Sequence, residues 1–100
     1  MATTAKALYR GAAATTSTTL YTVPSSTTTV ITSIGITNTA STAATYTIGF
    51  AGTSFATTAS ISPNDTIIIE PKQVLATTNT ITGGASATTV NFHICGVEIS

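Results

Sequence analysis

Charge is the property that this sequence has least of. Only 6% of its 100 residues are charged, whereas an average soluble domain has about 25%. The three basic and three acidic residues cancel, so long-range attraction to nucleic acid or to an anionic membrane is not expected. With so few charges and no net charge, repulsion between copies is weak, so a free protein would be poorly protected against self-association. We therefore expect much of the surface to be covered in an assembly.

Cysteine and long apolar runs are also scarce. The single cysteine, Cys95, cannot form an internal disulfide, which fits synthesis in a reducing cytoplasm. No apolar run approaches the roughly 20 residues of a membrane-spanning helix. Residues 1–16 contain no apolar core of signal-peptide length. We expect neither a membrane partner nor a secretory route.

Catalytic and metal-binding motifs are missing as well. His93 is the only histidine and Asp65 the only aspartate, and no nucleophile-elbow sequence supports a Ser-His-Asp arrangement. The Gly-rich "ITGGASA" lacks the lysine and the following helix of a phosphate-binding loop. His93 and Cys95 lie two residues apart, but a metal site needs further ligands at suitable spacing. The sequence predicts no enzyme, no cofactor and no metal.

Threonine, by contrast, makes up about a quarter of the chain, and residues 20–50, "LYTVPSSTTTVITSIGITNTASTAATYTIGF", contain no charge at all. Threonine is β-branched and fits a pleated sheet, while its hydroxyl stays in water. A threonine-covered sheet is therefore soluble without being charged. Helix signals are nearly absent, and "PKQVLAT" (71–77) is the one possible short helix or turn.

Strand signals are dense. In "ATYTIGF" (44–50), apolar residues alternate with Thr and Gly, and in residues 28–39 the pattern places Val30, Ile34 and Ile36 on one face. Three consecutive isoleucines at 67–69 suggest burial on both faces, or one face covered by a neighbouring subunit. In the last strand the alternation of apolar and polar residues shifts by one residue at Gly96, which predicts a β-bulge or a sharp bend.

These patterns predict an all-β fold, a small antiparallel β-sandwich or barrel of about six to eight strands. Residues 1–15 are predicted to be an N-terminal arm and residues 16–100 the β-sandwich domain. The arm carries two of the three cations beside an apolar pair, and one aromatic residue lies in loop-like surroundings. The predicted partner-interface residues are therefore Lys6, Leu8, Tyr9, Arg10 and Phe55.

The chain also resembles small β-rich virion proteins of tailed bacteriophages. The resemblance runs from Leu8 to Ser100: a short leader precedes "LYTVP", a Thr/Val strand runs into "NT", an alternating strand follows, and the chain closes on "VNFHICGVEIS". It implies a structural protein located on the capsid surface of the virion. The best-fitting role is a capsid decoration (cement) protein, often a homotrimer, that binds the major capsid protein and stabilises the shell.

Two other functions stay open at this point. A minor tail or head-fibre module would share the virion location, although neither sequence repeats nor a coiled stem is present. A carbohydrate- or cell-surface-binding β-sandwich would need an aromatic or carboxylate cluster in its loops. Phe55 and the Asn64-Asp65 pair are the only hints of such a cluster.

Overall fold

The computed structural model describes residues 3–100, which form nine β-strands. In chain order these are β1 (Thr3–Ala12), β2 (Thr18–Thr22), β3 (Thr28–Asn38), β4 (Ala44–Phe50), β5 (Thr53–Ile61), β6 (Thr66–Ile69), β7 (Gln73–Leu75), β8 (Thr80–Ala85) and β9 (Val90–Ile99). The segment 71–77, considered above as a short helix or turn, contains strand β7 instead. None of the described residues forms a helix that is long and apolar enough to cross a membrane.

The strands form two antiparallel sheets that pack as a sandwich. The five-stranded sheet has the order β1-β9-β3-β6, with β7 pairing the same strand β3 as β6 does, and the four-stranded sheet has the order β2-β8-β4-β5. Apart from β7, this is the eight-strand, two-sheet arrangement of a jelly roll. The predicted antiparallel sandwich is confirmed, with nine strands in the described residues. Within residues 3–100 the sheets do not close into a barrel.

The core between the sheets follows the alternation that the sequence shows. In β4, Ala44, Tyr46, Ile48 and Phe50 are buried, as their spacing predicts. Isoleucine dominates the remaining core, where its branched side chain packs well between pleated sheets. The fully buried isoleucines come from both sheets and are Ile31, Ile34, Ile36, Ile48, Ile61, Ile81 and Ile94.

Strand β3 departs from the predicted pattern because it contains a bulge. Its register with β9 shifts between Ile31 and Ser33, so Thr32 is an extra residue without a partner in β9. The alternation of inward and outward side chains therefore shifts by one residue at Thr32. Ile31 is fully buried whereas Val30 is only half-buried. The prediction that Val30 shares the face of Ile34 and Ile36 is therefore wrong, because a bulge moves every residue on one side of it to the opposite face.

The irregularity expected at Gly96 lies on the neighbouring strands. Strand β9 has no inserted residue, and Gly96 pairs with Lys6 on one side and Ile31 on the other. The extra residues are Leu8 in β1 and Thr32 in β3, both next to this point. A side-chain Cβ on Gly96 would lie 2.5 Å from the carbonyl oxygen of Val30. Glycine is therefore needed for close approach of the backbones rather than for a bend.

Residues 3–12, expected within a loosely attached arm, form the edge strand β1. This strand pairs with β9 along its whole length, from Thr3 opposite Ile99 to Ala12 opposite Asn91. Its small residues show no strong alternation of apolar and polar side chains. An edge strand does not need a strong alternation, because backbone hydrogen bonds to its one neighbouring strand hold it in place. Met1 and Ala2 of the predicted arm lie outside the described residues.

Candidate interaction surface

The predicted interface residues of the N-terminal segment have different surroundings. Lys6 and Arg10 are exposed on β1. Tyr9 is half-buried, and its hydroxyl donates a hydrogen bond to the carbonyl oxygen of Ala12 at 3.0 Å. Leu8, the bulged residue, is only 8% exposed and belongs to the core. Within this segment, the long side chains at the surface are therefore charged rather than apolar.

The fifth predicted residue, Phe55, lies elsewhere. It is in β5, the edge strand of the four-stranded sheet, and is 43% exposed. Its ring packs edge-on against Phe50, with 5.2 Å between the ring centroids. Because β1 belongs to the other sheet, the five predicted residues do not form one site.

A different surface is brought together by the strand register. On the outer face of the five-stranded sheet, Val97 of β9 lies opposite both Ala5 of β1 and Val30 of β3, and Val30 in turn lies opposite Val74 of β7. These four residues, Ala5, Val97, Val30 and Val74, form an unbroken row across the sheet, which we call the apolar row. Val74 is 67% exposed. Side chains that lie directly opposite one another on a sheet face are close enough to be in contact.

Two further apolar residues lie on the same face, one on each side of the apolar row, and Cys95 and Ser33 separate the row from Ile68. Ile99 lies between Thr3 and Thr28, and Ile68, opposite Gly35, is 72% exposed. The two flanking isoleucines, at 67 and 69, pack against the core. Within one chain the isoleucine run is therefore not buried on both faces. Cover by a neighbouring subunit, the other arrangement that its sequence suggested, stays a prediction.

The same face carries very little charge. Cys95 and His93 are exposed on β9, and Arg10 lies opposite His93. Among the described residues that the register places on this face, Arg10 is the only one with a full charge at neutral pH. Most of the other outward positions are Thr, Ser, Gly or Ala. The face is therefore suited to contact with another neutral protein surface.

A polar cluster joins the two sheets at one end of the sandwich. The hydroxyl of Tyr21, in β2, donates a hydrogen bond to the carboxylate of Glu98, in β9. It also lies 2.9 Å from the hydroxyl of Thr29. Lys6 Nζ lies 3.4 Å from the same carboxylate, whose side chain is only 15% exposed. Burial raises the pKa of Tyr21 above its ordinary value, and the hydrogen bond to Glu98 raises it further.

We expect Tyr21→Phe to lower the free energy of unfolding by about 1–2 kcal/mol at neutral pH, because a hydrogen bond to a carboxylate is lost. The raised pKa of Tyr21 means that the folded state holds the phenol proton more tightly than the unfolded state does. The contribution of Tyr21 is therefore complete below about pH 10 and is lost as the pH rises through the folded pKa. Urea unfolding between about pH 8 and 11 should show a steeper decline for the wild type than for Tyr21→Phe. A constant difference across that range would contradict this account.

The outside of the four-stranded sheet has an open depression of about 240 Å³, lined by residues 15–17, Thr45, Thr47 and residues 84–86. Its walls are hydroxyls, small side chains and backbone. At Gly84 the chain passes so close that an added Cβ would lie 2.6 Å from the carbonyl oxygen of Thr16. No titratable side chain lines this depression, so nothing in it favours a particular ligand.

Residues 3–100 contain no group of three or more His, Cys, Asp or Glu side chains that could hold a metal ion. The described surface offers mainly hydroxyls, backbone groups, aliphatic side chains and a few separate charges, together with the exposed side chains of Phe55, His93 and Cys95. No protein-family model, curated protein or solved structure matches the chain. Function is therefore inferred from the surfaces of the chain itself.

Proposed function

We propose that this chain is a structural protein of a tailed-bacteriophage virion, with a capsid decoration role on the outer shell. Its partners would be further copies of itself and the major capsid protein, and its effect would be to stabilise the shell. A minor tail or head-fibre role is the nearest alternative, since it would use the same kind of surface at a different place on the particle.

The observation that carries the proposal is the neutral outer face of the five-stranded sheet. Exposed Ile68 and Val74 lie there among small and hydroxyl-bearing residues. Among the described residues that the register places on this face, Arg10 is the only Lys, Arg, Asp or Glu. Such a face can contact another protein without desolvating many charges, which is the main cost of burying a polar surface. The jelly-roll strand order is also one that viral capsid domains use, although lectins share it and a fold alone does not specify function.

Repetition explains how a small domain could bind a shell firmly through such a surface. One copy of a 100-residue chain offers only a modest contact area. Copies that are joined to one another bind a repetitive lattice at several points, and the second contact is formed at high effective concentration. Individually weak neutral contacts are then sufficient.

The test is the number of copies in purified particles of the phage that encodes the chain. Decoration of a shell predicts hundreds of copies per particle, in a fixed ratio to the major capsid protein. A handful of copies would place the chain in the tail or at a fibre. Absence from the particle would overturn the proposal.

A further inference from the structure

We propose that the outer face of the five-stranded sheet packs against the same face of a second copy of this chain, forming a two-fold symmetric dimer. This is the same face that supports the proposed virion role, and the inference assigns it to the contact between copies. The tests below use purified protein, so their outcome does not depend on whether the chain is found on a particle. It rests on the apolar row, on Ile68 of the same face, on the low number of charges at the outward positions of the strands and on the dimensions of the sheet.

The face groups several aliphatic side chains, of which Ile68 and Val74 are exposed and Val30, Val97 and Ile99 are half-buried. The apolar row crosses four strands without interruption, and Ile99 and Ile68 lie on the same side of the sheet. Single exposed aliphatic side chains are common, but a contiguous group of them marks an interaction surface. Ile68 and Val74, at 72% and 67% exposure, are the most exposed large hydrophobic residues in the described chain.

The area of the face matches what a specific dimer needs. The sheet is four strands wide, because β6 and β7 pair with the same strand β3, and β9 is 10 residues long. With strands about 4.8 Å apart and about 3.3 Å per residue, one face covers about 600 Å². Two such faces in contact bury about 1,200 Å², the lower end of the range for specific protein interfaces.

The chemistry of the face favours a second copy over a charged partner. Arg10 is the only Lys, Arg, Asp or Glu among the described residues that the strand register places on this face. Exposed Glu70 and Lys72, which have opposite charges, flank the face between β6 and β7. A strongly acidic or basic partner would therefore find little to pair with, whereas an identical neutral face would bury few charges. Two sheet faces pack about 10 Å apart with interdigitating side chains.

The two longest edge strands, β1 and β5, are less suited to self-association than the face is. Edge strand β1 is interrupted by the bulged Leu8 and carries Lys6. Edge strand β5 has two register irregularities against β4, and Thr58 within it has a φ of 48°. Bulges and lysines are features that block edge-to-edge pairing. Contact between two like faces is isologous and closes at two copies, so this face favours a dimer over the trimer that the phage resemblance implies.

The first test measures the mass of the full-length protein in solution by sedimentation equilibrium. We expect the wild type to reach twice its chain mass of 10.0 kDa at concentrations up to about 100 µM, as for an interface at the small end of the specific range. Ile68→Lys and Val74→Lys should each give a monomer with an unchanged circular dichroism spectrum. Thr57→Lys adds the same charge at an exposed position on the other sheet and should remain dimeric.

The second test uses the native thiol as a reporter. Cys95 is free and exposed on the same face of the isolated chain, so a dimer would cover it. We expect it to react with a disulfide reagent roughly tenfold more slowly in the wild type than in Val74→Lys, since thiol reactivity depends on access. A monomeric or trimeric wild type, lysine variants that stay dimeric, a monomeric Thr57→Lys, or equal thiol reactivity would each overturn the inference.

Discussion

Replacing Asn38 by Ala should lower the free energy of unfolding by about 3 kcal/mol, because buried polar groups lose their partners. Asn38 ends β3 and is fully buried. Its amide nitrogen donates to the carbonyl oxygens of Thr42 and Ser62, at 2.8 and 3.3 Å. Its amide oxygen accepts from the backbone N–H of Ala40 at 3.1 Å and from the hydroxyl of Thr89 at 3.4 Å. One side chain thus connects three loops at the same end of the sandwich.

Urea unfolding at a fixed protein concentration measures this effect, and Asn79→Ala is the matched control. The side chain of Asn79 accepts a single hydrogen bond, from the N–H of Ala76 at 2.9 Å, near the surface. Its loss should cost about 1 kcal/mol. If Asn38→Ala were no more destabilising than Asn79→Ala, the three loops would not depend on Asn38 in the way described.

The second large effect is expected for Gly96→Ala, which should destabilise the fold by about 3 kcal/mol through overpacking. The added Cβ would lie 2.5 Å from the carbonyl oxygen of Val30 and 2.9 Å from Leu8 Cδ1. The leucine could rotate away, but the carbonyl oxygen belongs to the β3 backbone beside its bulge. Relief would therefore require the two sheet strands to separate locally.

Gly35→Ala is the matched control for this substitution. Gly35 is also a strand glycine in the same sheet, but there the added Cβ would be 3.6 Å from the nearest atom, His93 Cβ. This is an ordinary contact, so the change in stability should stay within about 0.5 kcal/mol. Equal effects of the two substitutions would show that β9 and β3 can move apart at Gly96 without cost.

The parts of the fold that could be predicted are those with a local pattern. Strand β4 alternates strictly between apolar residues and Thr or Gly, and its burial follows that alternation except at Gly49, which is also buried. The position of strand β3 could be predicted from the sequence, but the set of its residues that face the core could not. Nothing about Thr32 identifies it as a bulged residue. A bulge depends on the pairing of two distant strands, here β3 and β9, and that pairing is not a property of either strand alone.

The interaction surface was predictable only in part for the same reason. The run at residues 67–69 left two arrangements open, burial on both faces or cover of one face by a neighbouring subunit, and the exposure of Ile68 excludes the first within one chain. The apolar row could not be predicted, since it needs the register of four strands that are far apart in sequence. Leu8 was predicted at an interface because its neighbours are charged, yet the bulge in β1 turns it into the core.

The positions of threonines on the two sheets explain why the chain contains so many of them. Thr45 and Thr47 lie on the outside of the four-stranded sheet, beside the depression. On the five-stranded sheet, the hydroxyls of Thr37 and Thr66 lie 3.2 Å apart across neighbouring strands. Threonine thus supplies strand-forming backbone and cross-strand contacts while keeping the surface polar and neutral. Such a surface can be covered by protein without removing many charges from water.

The most direct test of the virion assignment is a count of this chain in purified phage particles, by quantitative mass spectrometry against the major capsid protein. A matched preparation from a phage in which the gene is deleted provides the blank, and adding purified protein back to those particles tests rebinding to the shell. The assignment predicts hundreds of copies in a constant ratio to the major capsid protein, restored on rebinding. Particles that contain no copies and bind none when the protein is added would contradict it.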